Sequence, residues 1–320
     1  MKILSRIFVA ACATLFSIAA NAQGYPNKPI TIVVPFGPGS GTDVMTRIIA
    51  QPLGVALNQN IVIENKVGAN GAIAAAAVAR AAPDGYTLLM STNSPHSAAP
   101  SLNKTISYDP VKDFAAITRT GSFTIILAVD GRTPYKSVPE LVAYAKANPN
   151  KLSYGVGNTA GIVSGALFKQ WAGIDIVQVP YKTVPLAITD VLGGQIPMIF
   201  TDLSPGLPHF ASGAIRPLAC TRLKRSALLP NVPTFAELGA TNFEVDAWAA
   251  LFAPTGTPPE IINRLNAEVR KILADPQAKE QLAKVGFEPL ASTPAELDAF
   301  VKVQLVNWTK MIKAAGIQAE

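Results

Sequence analysis

Two glycine-rich turns carry the residues whose types and spacing suit the binding of a small anion. The first is Gly37-Pro-Gly-Ser-Gly41, and the second is Gly155-Val-Gly-Asn-Thr-Ala-Gly161. Glycine permits a tight turn and lets backbone amides come close to a ligand. Each turn precedes a stretch with helical spacing, and a helix N-terminus presents unpaired N–H groups with a partial positive charge. Facing each other across a cleft, the two turns would hold a carboxylate group at each end of a ligand, although either turn alone is equally typical of a plain strand-to-helix connection.

Polar side chains follow several of the apolar runs that read as strands. In an open α/β sheet, ligands bind beyond the carboxyl ends of the strands. Hydroxyl and amide groups at that edge can hydrogen-bond a ligand without a fixed countercharge. The residues in such positions are Ser91, Thr92, Asn93, Asn158, Thr159, Tyr181, Lys182, Thr183, Thr201 and Asp202. Their collection at equivalent strand ends predicts a binding site.

The first turn also resembles part of a dinucleotide-binding fingerprint, because a strand, Gly37-x-Gly39 and a helix precede Glu64 at the end of the next strand. The G-x-G-x-x-G pattern requires a third glycine, and Thr42 or Val44 stands there in the two possible registers. Both registers fail, so a dinucleotide enzyme is disfavoured.

Residues for catalysis or metal binding are sparse. His96 and His209 are far apart in the sequence and each lies in a proline-flanked segment, where we expect exposed turn residues. There is no Cys/His cluster at metal-ligand spacing and no G-x-S-x-G elbow. We therefore predict no catalytic residue, no metal and no cofactor; a secreted hydrolase with a Ser/His/Asp set remains the less favoured alternative.

The N-terminus predicts export. Residues 1–6 are basic, an apolar run spans 7–20, and Ala20-Asn-Ala22 provides a signal peptidase site before Gln23. The run of about fourteen apolar residues is shorter than the ~20 that span a membrane. A lipoprotein box ending at Cys12 is an alternative that would leave almost no apolar core before the cysteine. We expect a signal peptide over 1–22 and a periplasmic protein.

Composition favours a two-domain protein that binds a small molecule. Hydrophobic residues make up 49% of the 320, enough to fill two cores, and no later run reaches membrane-spanning length. The formal net charge of +6 is spread along the chain without a Lys/Arg cluster, which argues against nucleic acid. After cleavage only Cys220 remains, so no intramolecular disulfide can form, and its apolar surroundings predict a buried side chain.

Strand and helix patterns alternate along the chain, which predicts an α/β fold with mainly parallel sheets. Apolar spacing predicts helices from about Thr42, over 138–147 and over 258–274. The α/β pattern occurs twice, which predicts two lobes with a ligand cleft between them. The pattern alone leaves open whether the last helices return to the first lobe.

Several segments together resemble one family, the Bug-type periplasmic substrate-binding proteins of tripartite tricarboxylate transporters. The resemblance extends from the signal peptide to the C-terminus, with all segments in the family's order. The segments are 33–43 (VVPFGPGSGTD), 63–71 (IENKVGANG), 83–89 (PDGYTLL), 108–114 (YDPVKDF), 179–182 (VPYK), 190–195 (DVLGGQ), 229–234 (LPNVPT) and 251–258 (LFAPTGTP).

The resemblance implies a type-2 periplasmic-binding fold with two lobes joined by two crossover strands and a ligand cleft between them. The first lobe would comprise 23–123 and 248–320, and the second 124–247. The ligand would be held by both glycine turns, largely through backbone amides and bridging waters. The implied ligand residues are Phe36, Gly39, Ser40, Ser91 and Asn93 on one side, and Gly157, Asn158, Thr159, Tyr181 and Asp202 on the other.

The implied function is that of a monomeric, non-enzymatic receptor that captures a carboxylate and delivers it to membrane transporter subunits. Typical family ligands are citrate, dicarboxylates, acidic amino acids and aromatic acids. Sensing for a periplasmic signalling receptor would use the same clamp and stays open. Two departures leave the ligand's identity open: Ile162-Val163 replaces the family's His-Leu pair, and Thr183 replaces its Gly after Val-Pro-Tyr-Lys. The acidic Asp202 could instead favour an amino or amide group on the ligand.

Overall fold

A computed structural model describes residues 24–241 and 243–319. The expected signal peptide over 1–22, its cleavage site and Cys12 lie outside these residues. Within them the strands are β1 (Ile30–Val34), β2 (Ile61–Asn65), β3 (Thr87–Thr92), β4 (Phe114–Phe123), β5 (Ile125–Asp130), β6 (Ser153–Val156), β7 (Val177–Pro180), β8 (Met198–Asp202), β9 (Ile215–Cys220), β10 (Ala247–Pro254) and β11 (Phe287–Pro289).

The α-helices alternate with these strands. They are α1 (Gly41–Leu57), α2 (Ala72–Ala79), α3 (Ala99–Leu102), α4 (Val138–Ala147), α5 (Thr159–Ala172), α6 (Val184–Leu192), α7 (Leu203–Ala211), α8 (Pro259–Ala274), α9 (Pro276–Lys284) and α10 (Pro294–Ala314). A 3-10 turn covers Ala69–Gly71 and a π-helix covers Ser94–Ala98. Residues 91–97, which include the strand-end residues Ser91 and Asn93 and the histidine His96, are therefore the end of β3 followed by the π-helix.

The strands form two sheets, which confirms the predicted two-lobed α/β fold. The six-stranded sheet of the first lobe has the order β11-β4-β10-β3-β1-β2, and the five-stranded sheet of the second lobe has the order β7-β6-β8-β5-β9. The strands β1, β2 and β3 are parallel, as are β6, β7 and β8, whereas β10 and β5 each run antiparallel to both of their neighbours and β11 runs antiparallel to β4. The prediction of mainly parallel sheets is therefore wrong: both sheets are mixed, because each contains a strand that enters from the other lobe. Parallel strands place their carboxyl ends at one edge of each sheet, where the glycine turns begin.

The chain passes between the lobes twice. It leaves the first sheet at the end of β4 and enters β5 after the single residue Thr124, and it returns in β10 after Asp246. The terminal helices then pack on elements of the first lobe: α8 contacts β4 and α1, and α10 contacts β4 and the π-helix, with Leu265 and Trp308 fully buried. This placement answers the question that the sequence pattern alone left open.

Helix ends follow the local sequence. Thr293 and Glu296 form a capping box at the start of α10, and Ser137 caps α4 by accepting from the amide of Glu140. Cys220 is buried at the end of β9, as predicted. None of the helices in the two described segments is long and apolar enough to cross a bilayer.

Candidate functional site

The first glycine turn connects β1 to α1 and is held by side chains of the helix itself. The carboxylate of Asp43 accepts from the amide of Gly39 at 3.0 Å, and the hydroxyl of Ser40 accepts from the amide of Asp43 at 3.3 Å. Gly39 has φ +78°, a conformation that favours glycine. The backbone amide of Gly39 is therefore used within the turn.

Asp43 is buried and links the turn to β2. Its carboxylate accepts from Arg47 at 2.9 Å and from the side-chain amide of Asn65 at 2.9 Å. Burial alone would raise the pKa of Asp43, but the hydrogen bonds from Arg47, Asn65 and Gly39 lower it below its usual value. Within the described residues, the amides of Gly41 and Thr42 in the first turn of α1 have no acceptor. Those two amides are the donors that the turn leaves unpaired.

The second glycine turn connects β6 to α5 and is capped by Asn158. The Oδ1 atom of Asn158 accepts from the amide of Gly161 at 2.9 Å, while its Nδ2 atom donates to both oxygens of Asp202 at 3.2 Å. The hydroxyl of Thr159 is buried and has no partner in the described part of the chain. The two turns thus match: each begins a helix whose N-cap side chain is fixed by its own first turn.

A small cavity lies between the turns, where the two lobes meet. Its volume is about 10 Å³, roughly the space of one water molecule. The lining comes from both lobes: Phe36, Thr42, Thr92, Asn93, Ser94, Phe123, Asn158, Ala160, Asp202 and Ala247. The side-chain amide nitrogen of Asn93 is buried there without a partner among the described residues. A wider groove of about 650 Å³ on the outside of α1 and β2 contains no residue of either turn.

The lobes touch across the cleft, so the structure is a closed clamp. The hydroxyl of Ser94 in the first lobe accepts from the amide of Thr159 in the second at 3.3 Å. The methyl group of Thr183 approaches Gly37 so closely that a Cβ at that glycine would lie 2.8 Å from it. Near the crossover strands, Arg222 of the second lobe donates to Ser122 at 2.9 Å and pairs with Glu288 at 3.0 Å.

Asp202 is the one ionisable residue in the cavity lining, and it is acidic. Its side chain is buried at the end of β8, and its exposed fraction is 7%. Burial raises its pKa to about 6, although the hydrogen bonds from Asn158 favour the charged form. The lining contains no Lys, Arg or His. Anion binding here would depend on amides and hydroxyls.

The structure divides the predicted ligand residues into two groups. Phe36, Asn93, Asn158 and Asp202 line the cavity, and the amide of Thr159 points to Ser94 at its edge. The others lie outside the lining. Gly39 and Ser40 shape the first turn, Gly157 packs against the backbone of Val184 at the start of α6, and the hydroxyl of Tyr181 donates to Asp190 at 2.7 Å.

Ser91 also lies outside the lining, and its hydroxyl is 2.6 Å from Nδ1 of His96. His96 is fully buried and stacks on Phe252 with ring centroids 4.0 Å apart. Burial lowers its pKa to about 3. The expectation of two exposed turn histidines is therefore wrong for His96, and half-buried His209 lies on α7. The Ser91–His96 pair has no exposed surface at either residue, which disfavours the hydrolase alternative.

The two departures from the family pattern have different consequences. Ile162 packs against the hydrophobic core and Val163 is fully buried, so neither lines the cavity. Thr183 instead contacts the first glycine turn across the cleft. Sequence reasoning missed Thr42, Ser94, Phe123, Ala160 and Ala247 as lining residues. Thr42 and Ala160 are each the second residue of the helix that follows a glycine turn. The positions of the two turns in the sequence could therefore have indicated both residues.

A two-lobed α/β clamp whose glycine turns face a shared cleft defines the solute-binding class of receptors. Residues 45–317 match the family model described as "Tripartite tricarboxylate transporter family receptor". The protein BugT of Bordetella pertussis is 34% identical over 314 residues, which cover 97% of this chain and 95% of BugT. The chain belongs to the tripartite tricarboxylate transporter receptor family and is a solute-binding receptor of the Bug type.

Solved structures agree with this assignment. Rpa4515 of R. palustris, solved with adipate, has a TM-score of 0.90 and 35% identity, and the match covers 93% of this chain and all of that one. MatC from Rhodopseudomonas palustris, solved with malate, has a TM-score of 0.84 and 29% identity over 90% of this chain and all of that one. In the described segments, no group of three or more His, Cys, Asp or Glu could hold a metal ion.

Proposed function

We propose that this protein is an exported, monomeric periplasmic receptor that closes its two lobes on a small organic dicarboxylate and delivers it to the membrane subunits of a tripartite tricarboxylate transporter. The observation that carries the proposal is the pair of capped helix N-termini at one cavity, with amide donors left unpaired and no cationic side chain. Unpaired amides at a helix N-terminus bind carboxylates. Capture without chemistry requires no catalytic residue, so the protein would not be an enzyme.

The adipate and malate of the related structures support the choice of a dicarboxylate. Both are flexible acids with a carboxylate at each end, which is the shape that two facing turns would hold. A cavity of about 10 Å³ holds about one water molecule, so the lobes would have to separate for such a ligand to enter and would close on it less tightly than in this structure. Binding then shifts the equilibrium toward the closed form. The free energy of this shift equals the difference between the ligand's binding free energies for the closed and the open forms.

The ligand contacts that we propose fall into two kinds. Direct contacts are proposed for Phe36, Asn93, Asn158, Thr159 and Asp202, supported by their place in or at the edge of the cavity lining. For the remaining predicted residues we propose a supporting role, in which they hold the turns and the strand ends that carry the donors. These are Gly39, Ser40, Ser91, Gly157 and Tyr181.

The lobes that would separate are 23–123 with 248–320, and 124–247. The two sheets support this division, because no ladder joins β1–β4, β10 and β11 to β5–β9 in the described residues. Thr124 and the segment before Ala247 would act as the hinge, since these are the points at which the chain passes from one sheet to the other.

The test is thermal melting of residues 23–320 against mono-, di- and tricarboxylates, aromatic acids and acidic amino acids, before and after refolding to strip carried-over ligand. A true ligand at a hundredfold above its Kd stabilises the protein by about 2.7 kcal/mol. A shift confined to dicarboxylates supports the proposal, and no shift with any compound contradicts it.

A matched pair of cap variants locates the site. Asn158→Ala and Ser137→Ala each remove an N-cap side chain that accepts from the third amide of its helix. Each should lower stability by about 1 kcal/mol. Only Asn158→Ala should weaken ligand binding, by about tenfold or more, because α4 begins away from the cleft. If both variants bind the ligand with equal affinity, the binding site does not include the second glycine turn.

The sensing alternative uses the same clamp and differs only in the protein that the closed form contacts. Pull-down from membrane extracts with ligand-loaded protein distinguishes them: transporter subunits are expected, and recovery of a receptor kinase would favour sensing.

A further inference from the structure

The charge balance of the cleft conflicts with the binding of a dianion. A dicarboxylate brings two negative charges to a lining that contains no cation and one acidic group, Asp202. An exposed fraction of only 7% leaves this carboxyl little access to water. Like charges in a poorly hydrated site disfavour each other's ionised form. Something must neutralise one of the three carboxylates when the clamp is closed.

No neighbouring side chain is free to do so. On α1, Arg47 is paired with Asp43 and half exposed on the outer side of the turn. On the π-helix, His96 is neutral among aromatic rings and hydrogen-bonded to Ser91. The other titratable groups of the packed elements lie at their far ends or are paired: Asp130 at the end of β5, Lys169 in the last turn of α5, His209 in the last turn of α7, and Asp246, which precedes β10 and pairs with Arg119.

The hydrogen bonds of Asp202 leave room for a proton. Its two oxygens share one side-chain donor, Nδ2 of Asn158, at 3.2 Å each. A carboxylate offers about four acceptor sites and no donor, whereas the protonated group adds one O–H donor. An O–H donor aimed at an ionised carboxylate makes a short, charge-assisted hydrogen bond.

On the basis of the proposed function, we propose that Asp202 takes part in binding as a neutral carboxyl group that donates its proton to a ligand carboxylate, so that each closure on a dicarboxylate takes up one proton from solvent. In the open clamp the group is ionised at neutral pH. On closure, the proton comes from bulk water or buffer and stays on Asp202, shared with the ligand oxygen. Release of the ligand returns it to solvent.

This coupling fixes the direction of the pH dependence. Binding takes up a proton between the pKa of Asp202 in the free protein and its higher pKa in the complex. In that window the affinity falls as pH rises, by at most about tenfold per pH unit for one proton. At lower pH the affinity levels off, because Asp202 is already protonated. The window lies above the pKa of an isolated carboxyl such as Asp or Glu, about 4; in a dicarboxylic acid the first negative charge raises the pKa of the second carboxyl.

The experiment is isothermal titration calorimetry of residues 23–320 with adipate and with malate from pH 6.5 to 8.5. Each pH is measured in two buffers with different ionisation enthalpies, which counts the protons taken up. The variants are Asp202→Asn, which keeps a donor without a charge, and Asp130→Asn as the control. Asp130 is also a buried aspartate of the second lobe, at the far end of the strand paired with β8.

For the unmodified protein we expect uptake approaching one proton and affinity that falls by up to about tenfold per pH unit. Asp202→Asn should lose both effects and bind more tightly than the unmodified protein at pH 8.5, a gain that a merely structural role would not produce. Asp130→Asn should keep both effects. The proton count comes from the unmodified protein, so absence of uptake overturns the inference even where Asp202→Asn fails to fold, while loss of uptake in Asp202→Asn identifies Asp202, rather than a ligand carboxylate, as the group that is protonated.

Dicarboxylate binding with no proton uptake and constant affinity would overturn this inference and leave the proposed function intact. Selective binding of amino-acid probes, abolished in Asp202→Asn, would also overturn it, because Asp202 would then act as an ionised partner of an ammonium group. Absence of carboxylate binding at every pH would refute the proposed function and the inference with it.

Discussion

Gly37→Ala should weaken ligand binding without weakening either lobe. A Cβ at this position would lie 2.8 Å from the methyl carbon of Thr183, 3.7 Å from its Cβ and 3.8 Å from a methyl carbon of Val67. Only the first distance is too short. Gly37 belongs to the first lobe and Thr183 to the second, so the clash exists only when the clamp is closed.

The expected loss follows from the size of the overlap. Extra methyl groups in a packed interior cost about 1–3 kcal/mol. Where the ligand-bound lobes keep this contact, the cost falls on the closed form alone and weakens binding by at most about 150-fold, since each 1.4 kcal/mol is a factor of about ten in Kd. We expect the ligand-free protein to be open in solution, which separates Gly37 from Thr183, so its melting temperature should stay unchanged.

A second substitution tests the cause. Thr183→Ser removes the clashing methyl group and leaves the Cβ at an ordinary 3.7 Å, so the double variant should recover the affinity of Thr183→Ser alone. Calorimetric Kd values of all four proteins form a double-mutant cycle. The interlobe contact is not the cause if the double variant loses as much ligand affinity as Gly37→Ala alone. It is also not the cause if ligand-free Gly37→Ala melts at a lower temperature than the unmodified protein.

Three further predictions concern polar side chains that are buried or half-buried. Ser91→Ala should lower the free energy of unfolding in urea by about 1–3 kcal/mol, because Nδ1 of His96 loses its hydrogen-bond partner. The Kd for the ligand should stay unchanged, and a large rise in Kd would mean that Ser91 contacts the ligand. The pKa of Asp202 is raised on folding from 3.8 to about 6, so its contribution to stability is complete below about pH 4 and is lost as the pH rises through 6. In urea titrations, the free energy of unfolding should therefore decrease by on the order of 3 kcal/mol over this range, and the decrease should be absent in Asp202→Asn. Tyr181→Phe removes a hydrogen bond to Asp190 at a half-buried site and should change the Kd by less than about twofold, since the hydroxyl lies outside the cavity lining; a tenfold change would contradict that placement.

The fold and the two turns could be predicted because they follow from local rules. Apolar runs, helical spacing and capping residues such as Ser40 and Asn158 are set by neighbours in the sequence. The role of each turn residue was harder to predict. The amide of Gly39 is occupied by Asp43, four residues away, and Gly157 lies against the backbone of Val184 in another helix. A Cβ at Gly157 would be 2.3 Å from that backbone nitrogen, so any larger residue at this position would disturb the packing of α6 as well as the turn.

The environment of His96 shows the same limit. Proline flanks and polar neighbours are typical of an exposed turn, yet the ring lies between Phe114 and Phe252. Both aromatic residues are distant in sequence, and no local pattern connects them. Side-chain alternation at the end of a strand also decides whether Ser91 or Thr92 reaches the cleft, and that depends on the position of β10.

The place of β10 in the middle of its sheet has a consequence for the order of events during synthesis. β10 forms the ladders to both β3 and β4, which are not paired with each other. As the chain emerges from its N-terminus, β1–β3 and β4 remain two separate pieces until residue 254 has appeared. All strands of the other sheet precede β10 in the sequence. The first lobe, whose strands are synthesised first, is therefore the last to complete its sheet. Until then, one edge each of the apolar strands β3 and β4 lacks its partner strand and is open to chaperones that bind nascent chains.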